Sequence, residues 1–423
     1  MDLETMKNWA GNYSYSAAEL LVPESVEQVQ EEVARSSRVK TLGTRHSFNG
    51  IADTDGSHIS LQKMNRVVAL DRAHNRVTVE AGIRYGELCH YLHDNGYALH
   101  NLASLPHITI AGACASATHG SGDKNGSLST AVHSMEIVKA NGDVVELSRE
   151  RQGDVFDGTV VGLGGLGVVT KLTLNVIPAF QMSQTVYEGL PLAQLEDHFD
   201  DIFGSAYSVS LFTDWKTDTF NQLWRKSVVT DLDSDQTEPE FFGAKRAAAN
   251  LHPVPGYTAE NCSEQMGIPG PWYERMAHFR MDFTPSAGEE LQSEYFVSRQ
   301  DAYAALGAIS RLKEQIAPLL YVSEVRTIAG DQHWMSPCYK QDSVAFHFTW
   351  KQHGEDVQRL LPLIEEQLAP FQARPHWSKL FAMTPARLRS LYEKLPEFQQ
   401  LLLQYDPNGK FRNAFLNTYL LDR

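Results

Sequence analysis

A glycine-containing turn at residues 41–49, with the sequence TLGTRHSFN, limits what the beginning of this chain can form. It follows residues 39–42, whose alternating apolar side chains predict a strand that enters the turn. Gly43 has no Cβ and allows a tight turn, and successive backbone N–H groups in such a turn form a concave anion site. His46 stands at the far end. We therefore expect a phosphate-binding turn with an imidazole beside it; the alternative is an ordinary turn with a surface histidine.

Size and charge narrow the classes of protein. A chain of 423 residues is too long for one ordinary core, so two domains are expected. The 52 acidic residues outnumber the 37 Lys and Arg residues, and this balance argues against nucleic acid or an anionic membrane as a partner. The four cysteines have no CxxC spacing, so we expect no metal site. The N-terminal residues show no signal-peptide pattern and no apolar run spans a membrane, so a cytoplasmic protein is expected.

The first 178 residues mix helical and strand patterns. Apolar residues at helical spacing follow Ser25, and a further helix is predicted at residues 85–95, ending at Gly96. Strands are predicted at 20–22, 67–71, 76–80, 132–138, 143–147 and 168–176. Pro178 is the first predicted domain boundary.

Residues 162–167, GLGGLG, match the GxGxxG pattern literally. A dinucleotide motif needs a strand before these glycines and a helix after them. Here the β-branched, alternating run 168–176 follows, which predicts a strand. We therefore reject a nicotinamide-binding motif and expect tight turns beside a cofactor.

The stretch 101–122, NLASLPHITIAGACASATHGSG, is rich in small and hydroxyl-bearing residues. Such a segment builds no packed core by itself, but it lets backbone approach a flat ligand closely. A flexible surface loop is the alternative. Because the stretch lies between predicted strands, a ligand cradle is an equally supported expectation.

Three later strands share a polar face. Alternation places Gln292 with Glu294, then Glu324 with Arg326, and finally His347 with Thr349, opposite apolar and aromatic residues. Helices predicted at 301–317 and 356–368, the second bent or ended by Pro362, would cover the apolar face. A half-exposed sheet is the simpler alternative. The mixture of bidentate groups and aromatics favours a substrate-binding face.

Beyond these strands, Thr384 and Pro385 predict a helix start and a helix that runs to Lys394, with a second helix near Glu397. The final turn DPNGKFRN, residues 406–413, ends in Asn413, whose amide we expect to reach a ligand.

Together these segments resemble a known family. GTRHSF, the stretch 101–122, LGGLGVVTKLTL and DPNGKFRN resemble the vanillyl-alcohol-oxidase class of FAD enzymes. SVSLFTDW, HPVPG, GIPGPW, LQSEY, HFTW and RPHWSK are similar to segments of the alditol (xylitol) oxidases, close to the sugar-1,4-lactone oxidases. The resemblance implies an α+β fold in which an FAD-binding domain made of two chain pieces, 1–178 and 381–423, carries an inserted α/β substrate domain, 179–380, with an antiparallel sheet covered by helices.

The resemblance also implies roles for residues. His46 would be the histidine covalently bonded to FAD, and Arg45 departs from the pattern, since many relatives have a small residue or glycine there. The FAD contacts implied are Thr41, Leu42, Gly43, Thr44, Arg45, His46, Ser47, Ser104, Thr109, Gly112, Ser116, Ala117, Thr118, His119 and Val168. The polyol contacts implied are Ser104, Glu324, Arg326, Thr349 and Lys379, supported by Gln292 and His347; the expected catalytic residues are Glu324, Arg326, Lys379 and His347.

The implied activity is oxidation of the terminal hydroxyl of an alditol such as xylitol or sorbitol to the aldose, with O2 reduced to H2O2. The partners would be the polyol and O2, and a monomer is expected. Hydride and proton must both leave the alcohol, and the residues do not decide which group takes the proton. Three alternatives stay open: a sugar-1,4-lactone oxidase, a dehydrogenase that passes electrons to a quinone or cytochrome, and a non-catalytic carbohydrate-binding protein.

Overall fold

The first part of the chain builds small sheets with helices beside them. The computed structural model describes residues 6–230, 238–282 and 289–421. Up to residue 178 the elements are β1 (Glu19–Leu21), α1 (Val26–Arg35), β2 (Val39–Thr41), β3 (Ser57–Ile59), β4 (Val67–Asp71), β5 (Arg76–Glu80), α2 (Tyr85–Asp94), β6 (Tyr97–Ala98), α3 (Ile110–Ala115), β7 (Val132–Val138), β8 (Val144–Ser148), α4 (Arg149–Gln152), α5 (Val155–Val160), β9 (Val168–Asn175) and β10 (Ile177–Pro178). A parallel sheet has the order β1-β3-β2, and an antiparallel sheet has the order β4-β5-β9-β7-β8.

Local signals explain these elements. The Ser25 side chain accepts a hydrogen bond from the Gln28 N–H and caps α1, whose Val29 and Val33 are buried, as predicted. Gly96, with φ +83°, follows α2, as predicted. The glycines at 162–167 join helix α5 to strand β9, which is the reverse of the order that a dinucleotide motif requires.

The middle of the chain forms one large sheet. Its elements are β11 (Gln181–Pro191), α6 (Gln194–Phe203), β12 (Ser208–Thr213), β13 (Thr219–Val228), β14 (Glu240–Phe241), β15 (Ala244–Arg246), β16 (Gly270–Pro271), α7 (Trp272–Met276), β17 (Glu290–Ser298), α8 (Ala302–Ser310), α9 (Lys313–Ile316), β18 (Leu320–Ile328), β19 (Ser343–Lys351), α10 (Gly354–Leu368) and β20 (Arg374–Pro375). The strands are antiparallel in the order β14-β15-β11-β13-β12-β18-β19-β17-β20, and β16 pairs with β11.

The two faces of this sheet differ as the alternation predicted. Phe346, Phe348 and Trp350 of β19 are buried in the core shared with α6, α8 and α10. The polar residues of β17, β18 and β19 point the other way, into a cavity. One helix prediction needs correction, since the helix expected at 301–317 is divided into α8 and α9. Of the two alternatives for Pro362, an end to the helix is excluded, because α10 continues through this residue.

The last part of the chain closes the molecule with α11 (Pro385–Ser390), α12 (Leu395–Tyr405), α13 (Ala414–Leu416) and a π-helical turn, Asn417–Leu421. The Thr384 side chain caps α11, as predicted, but the helix ends at Ser390 and not at Lys394. The apolar residues of α11 and α12 join the core of the large sheet.

The division at 178 and 380 into three pieces remains a prediction. No helix within the described ranges is long and apolar enough to cross a membrane.

Asn413 has a different place from the one predicted. Its buried amide lies outside the cavity: Nδ2 donates to the carbonyls of Gly50 (3.0 Å), Ile51 (3.1 Å) and Asp53 (2.8 Å), and Oδ1 accepts from the Leu416 N–H (3.0 Å). The side chain therefore ties the C-terminal piece to the segment that follows the 41–49 turn.

We expect Asn413→Ala to lower the free energy of unfolding by about 2–3 kcal/mol, because it leaves buried backbone groups unpaired and removes a helix cap. Thermal melting of the FAD-loaded protein measures this loss. Asn408→Ala, an exposed residue in the same final turn, is the matched control and should melt like the parent. Equal melting temperatures for both variants would contradict the assignment.

Candidate active site

A cavity of about 1120 Å³ lies between the first part of the chain and the polar face of the large sheet. Its walls come from the 41–48 segment, residues 103–119, the glycine run 162–167, the segments 252–254 and 278–279, strands β17 to β19, and residues 376–379. One continuous space is therefore in contact with the predicted phosphate turn at one end and with the predicted substrate face at the other.

All seven residues from Thr41 to Ser47 line this cavity. The turn is tight for a reason that differs from the one predicted: Arg45, with φ +64°, holds the left-handed backbone conformation. Gly43 is needed for a close approach instead, since a Cβ there would lie 2.7 Å from Thr109 Oγ1. The residue that departs from the resembled pattern, Arg45, is thus the strained one.

Replacement of Arg45 tests this strain. A left-handed conformation costs a non-glycine residue about 1–2 kcal/mol, and a β-branched residue tolerates it least. We expect Arg45→Gly to melt at or above the parent temperature and Arg45→Val to lose about 1 kcal/mol of stability. Thermal melting of the FAD-loaded protein measures both changes in stability. An Arg45→Val protein as stable as the parent would contradict the expectation.

His46 has the properties of a site that holds another group. Its Nδ1 lies 3.0 Å from Thr44 Oγ1, and the ring stacks on Trp9 with centroids 5.1 Å apart. Nε2 is buried without a hydrogen-bond partner. Burial, and then the neighbouring His107, lower the pKa of His46 to about 4, so the imidazole is neutral at pH 7. A neutral, fixed ring with an unpartnered nitrogen fits a covalently attached cofactor.

Most of the second predicted stretch lines the same cavity: Ser104, Thr109, Gly112, Ser116, Thr118 and His119. Two residues that were predicted to contact FAD do not line the cavity. Ala117 is packed in a hydrophobic core with φ +55°, and Val168 is packed in the core of the first part. Val169, its neighbour, lines the cavity, because adjacent residues of β9 face opposite sides of the sheet.

Lys40 was not predicted. Its buried amine lies at the cavity wall and donates to the carbonyls of Leu163 (3.3 Å), Gly164 (3.0 Å) and Phe411 (3.2 Å). Burial lowers the pKa of Lys40 to about 7, although Asp406 opposes this effect. The lysine joins the glycine run to the C-terminal piece beside the cavity.

On the sheet side, Glu294 is the centre of a buried charge cluster. Its Oε1 accepts a hydrogen bond from Arg326 (2.7 Å), and its Oε2 accepts one from Lys379 (2.8 Å). His119 Nε2 lies 3.2 Å from Oε1, at an angle outside hydrogen-bond geometry. Burial alone would raise the pKa of Glu294, but Lys379, His119 and Arg326 hold it well below its usual range. The sequence placed Glu294 on this face but not at its centre.

Glu324 belongs to a second buried group. Its Oε1 is 2.8 Å from His278 Nε2, and its Oε2 is 3.6 Å from Arg326 Nε. His278 Nδ1 is in turn 3.0 Å from the amine of Lys226. Despite burial, Arg326 and His278 hold the pKa of Glu324 far below its usual range. Neither His278 nor Lys226 was predicted: His278 lies just after α7, outside the strands in which alternation was analysed, and a lysine in a strand ordinarily indicates an exposed face.

The remaining predicted residues complete the wall. His347 Nε2 lies 3.2 Å from Gln292 Oε1, and Thr349 lines the cavity beside them. Burial, then Lys379, hold the pKa of His347 well below its usual value, so this ring is neutral. The structure therefore brings Ser104, Gln292, Glu324, Arg326, His347, Thr349 and Lys379 to one cavity.

A phosphate-type turn, an imidazole with one unpartnered nitrogen and a charged polar wall meet in one cavity, an arrangement that suits a flavin-dependent oxidoreductase. The comparisons with known proteins agree. An FAD binding domain matches residues 17–148, and D-arabinono-1,4-lactone oxidase matches residues 286–419. Alditol oxidase from Streptomyces sp. is 45% identical over 417 residues, 98% of each chain. L-gulonolactone oxidase from Mus musculus is 29% identical over 97% of each chain.

The fold is also similar to that of solved structures. Cholesterol oxidase from B. sterolicum superposes with a TM-score of 0.77 at 14% identity, covering 98% of this chain and 96% of that chain. The mixed helix and sheet architecture inferred from the sequence is confirmed. The chain belongs to the FAD-dependent oxidoreductase family that contains alditol oxidase and is close to the sugar-1,4-lactone oxidases.

Proposed function

We propose that this enzyme oxidises the terminal primary hydroxyl of an alditol, such as xylitol or sorbitol, to the aldose and reduces O2 to H2O2. The observation that carries the proposal is the row of cavity-facing groups on β17, β18 and β19. A polyol presents several similar hydroxyls, and only a row of donors and acceptors fixes which of them reacts. The 45% identity to an alditol oxidase supports the same substrate class.

The FAD site rests on the residues of the first part. The 41–47 turn would hold the pyrophosphate through backbone N–H groups. His46 would carry the covalent bond to FAD, and its buried, unpartnered nitrogen supports this role. Bound FAD supplies the hydride acceptor and the route of the electrons to O2.

The polar wall would bind and orient the alcohol. Arg326 and Lys379 place two cations, fixed by Glu294, where negative charge develops on the reacting oxygen. Glu324 Oε2 accepts a hydrogen bond from a substrate hydroxyl, and Thr349 and Ser104 contact further hydroxyls along the chain. Glu324, Arg326 and Thr349 are buried, and electrostatic interactions between buried groups are stronger than those in water.

Oxidation of a sugar-1,4-lactone is the second candidate function. It is supported by the match of residues 286–419 to D-arabinono-1,4-lactone oxidase. Steady-state assays with xylitol and sorbitol against L-gulono- and D-arabinono-1,4-lactone separate the two functions. We expect the alditols to give the higher kcat/KM; a higher value for either lactone would replace the first proposal with the second.

The electron acceptor needs its own experiment. We propose O2, with a cytoplasmic monomer as the working form. Parallel assays of H2O2 formation and of dye reduction under argon test the acceptor. Polyol-dependent dye reduction without H2O2 in air would identify a dehydrogenase instead.

A further inference from the structure

Three buried side chains behind the substrate wall form a continuous chain of hydrogen bonds. Lys226, on β13, is fully buried, and its amine donates to the Met276 carbonyl at 2.5 Å and lies 3.0 Å from His278 Nδ1. His278 Nε2 lies 2.8 Å from Glu324 Oε1. Lys226 does not line the cavity, whereas His278 and Glu324 do. This series of hydrogen bonds therefore runs from the protein interior to a carboxylate that faces the cavity.

Hydrogen-bond chemistry fixes the proton of the His278 ring. An ionised carboxylate only accepts, so His278 must donate from Nε2 to Glu324. A neutral imidazole that carries its proton on Nε2 has a lone pair on Nδ1. Burial lowers the pKa of Lys226 to about 7, and its amine has N–H groups to donate in either protonation state. Lys226 meets that lone pair. The carboxylate acceptor on one side of His278 and the lysine donor on the other thus favour the same tautomer, with the proton on Nε2.

The surroundings hold the ring in this orientation. The edges of Phe212 and Trp224 pack against it, with centroids at 5.6 Å and 5.1 Å. Burial, and then Lys226, lower the pKa of His278 to about 4, in keeping with a neutral ring. Because His278 occupies Oε1 of Glu324, Oε2 remains for the substrate; its nearest cation, Arg326 Nε, is 3.6 Å away.

We propose that Lys226 and His278 are positioning residues, which hold the Glu324 carboxylate with Oε1 bound and Oε2 free to accept the substrate hydroxyl. The inference rests on the proposed polyol oxidation. Removing the lysine leaves His278 Nδ1 without its donor, so that the bond to Glu324 is the one described side-chain hydrogen bond that still holds the ring. The ring and the carboxylate can then turn together away from their working geometry.

The kinetic experiment uses the FAD-loaded enzyme with xylitol. We expect Lys226→Met to lower kcat/KM about 100-fold, the effect of a displacement of roughly 1 Å at a reacting centre. FAD content, visible spectrum and melting temperature are measured on the same sample. Arg225→Met is the matched control, since it removes a cation from the neighbouring position of β13, on the opposite face, where Arg225 donates to the Ser205 carbonyl. It should retain the parent kcat/KM.

Two substitutions of His278 separate positioning from packing. Gln has an N–H that can replace the Nε2 donor, and Leu fills similar space without one. We expect His278→Gln to stay within about 10-fold of the parent kcat/KM and His278→Leu to fall about 100-fold. Equal losses in the two variants, or parent kcat/KM in both His278→Leu and Lys226→Met, would overturn the proposal.

A spectroscopic measurement covers the case in which a variant fails to fold. Selective ¹⁵N-histidine NMR of the parent enzyme reports the tautomer of each neutral ring, and His278 must carry its proton on Nε2. A proton on Nδ1 overturns the proposal. If the parent turns over no polyol, the proposed function fails, and the NMR result still decides the hydrogen-bond chain.

Discussion

His46→Ala is expected to abolish acid-stable flavin: the parent precipitates yellow in trichloroacetic acid, and the variant precipitates colourless. A noncovalent cofactor is released when the protein denatures, whereas a histidyl bond survives. The expectation depends on the unpartnered Nε2, the neutral ring and the Thr44 and Trp9 contacts that fix it. The 41–47 turn remains, so the native variant should still bind FAD reversibly.

The control is His252→Ala, another histidine of the same cavity wall, which lies with the 252–254 segment beside the substrate face. Its precipitate should stay yellow. A yellow pellet from His46→Ala would assign the covalent bond to a different residue. A colourless pellet from the parent would remove the covalent bond altogether, and FAD would then be held by contacts alone.

Local sequence patterns were sufficient to predict the strands that form the site. Alternation in β17, β18 and β19 predicted the polar face correctly, because side-chain direction in a strand follows from a two-residue period. The same period explains why Val168 packs in the core: a shift of one residue moves a side chain to the opposite face of the strand, and Val169 lines the cavity instead. Asn413 lies away from its predicted place. An amide beside a turn can bind backbone carbonyls as well as a ligand, and the sequence does not distinguish these two roles.

The centre of the site could not be predicted, because it depends on strand order. Glu324 pairs across the sheet with His347, and His347 pairs with Glu294, which places two carboxylates on either side of one histidine. No local pattern states that β19 lies between β17 and β18. Lys226 and His278 are 52 residues apart in the chain, and only the folded structure shows that their side chains meet.

Glu294→Gln is expected to cause the largest loss of stability of any single change at this site. The carboxylate is fully buried and is hydrogen-bonded by both Arg326 and Lys379. Removal of one partner from a buried ion pair costs about 3–5 kcal/mol, since the other charge stays buried without compensation. Here two cations lose a countercharge: Arg326 keeps Glu324 at 3.6 Å, whereas Lys379 has no second ion-pair partner among the described residues.

The same change should also alter how the stability of the fold depends on pH. The pKa of Glu294 in the folded protein lies well below that of a free glutamate, so its ionised form stabilises the fold above about pH 4.3. This contribution is lost as the pH falls through the folded value. The difference in melting temperature between parent and variant should therefore be full at pH 7 and shrink below about pH 4.

Glu188→Gln is the matched control for this prediction, because Glu188 is an exposed residue of β11 in the same sheet. Its loss should not exceed about 1 kcal/mol, the range of exposed charges. Turnover of xylitol should collapse in Glu294→Gln and persist in Glu188→Gln, since Arg326 and Lys379 are oriented by Glu294 alone of these two carboxylates. A Glu294→Gln enzyme with parental melting temperature and turnover would show that the two cations hold their places without it.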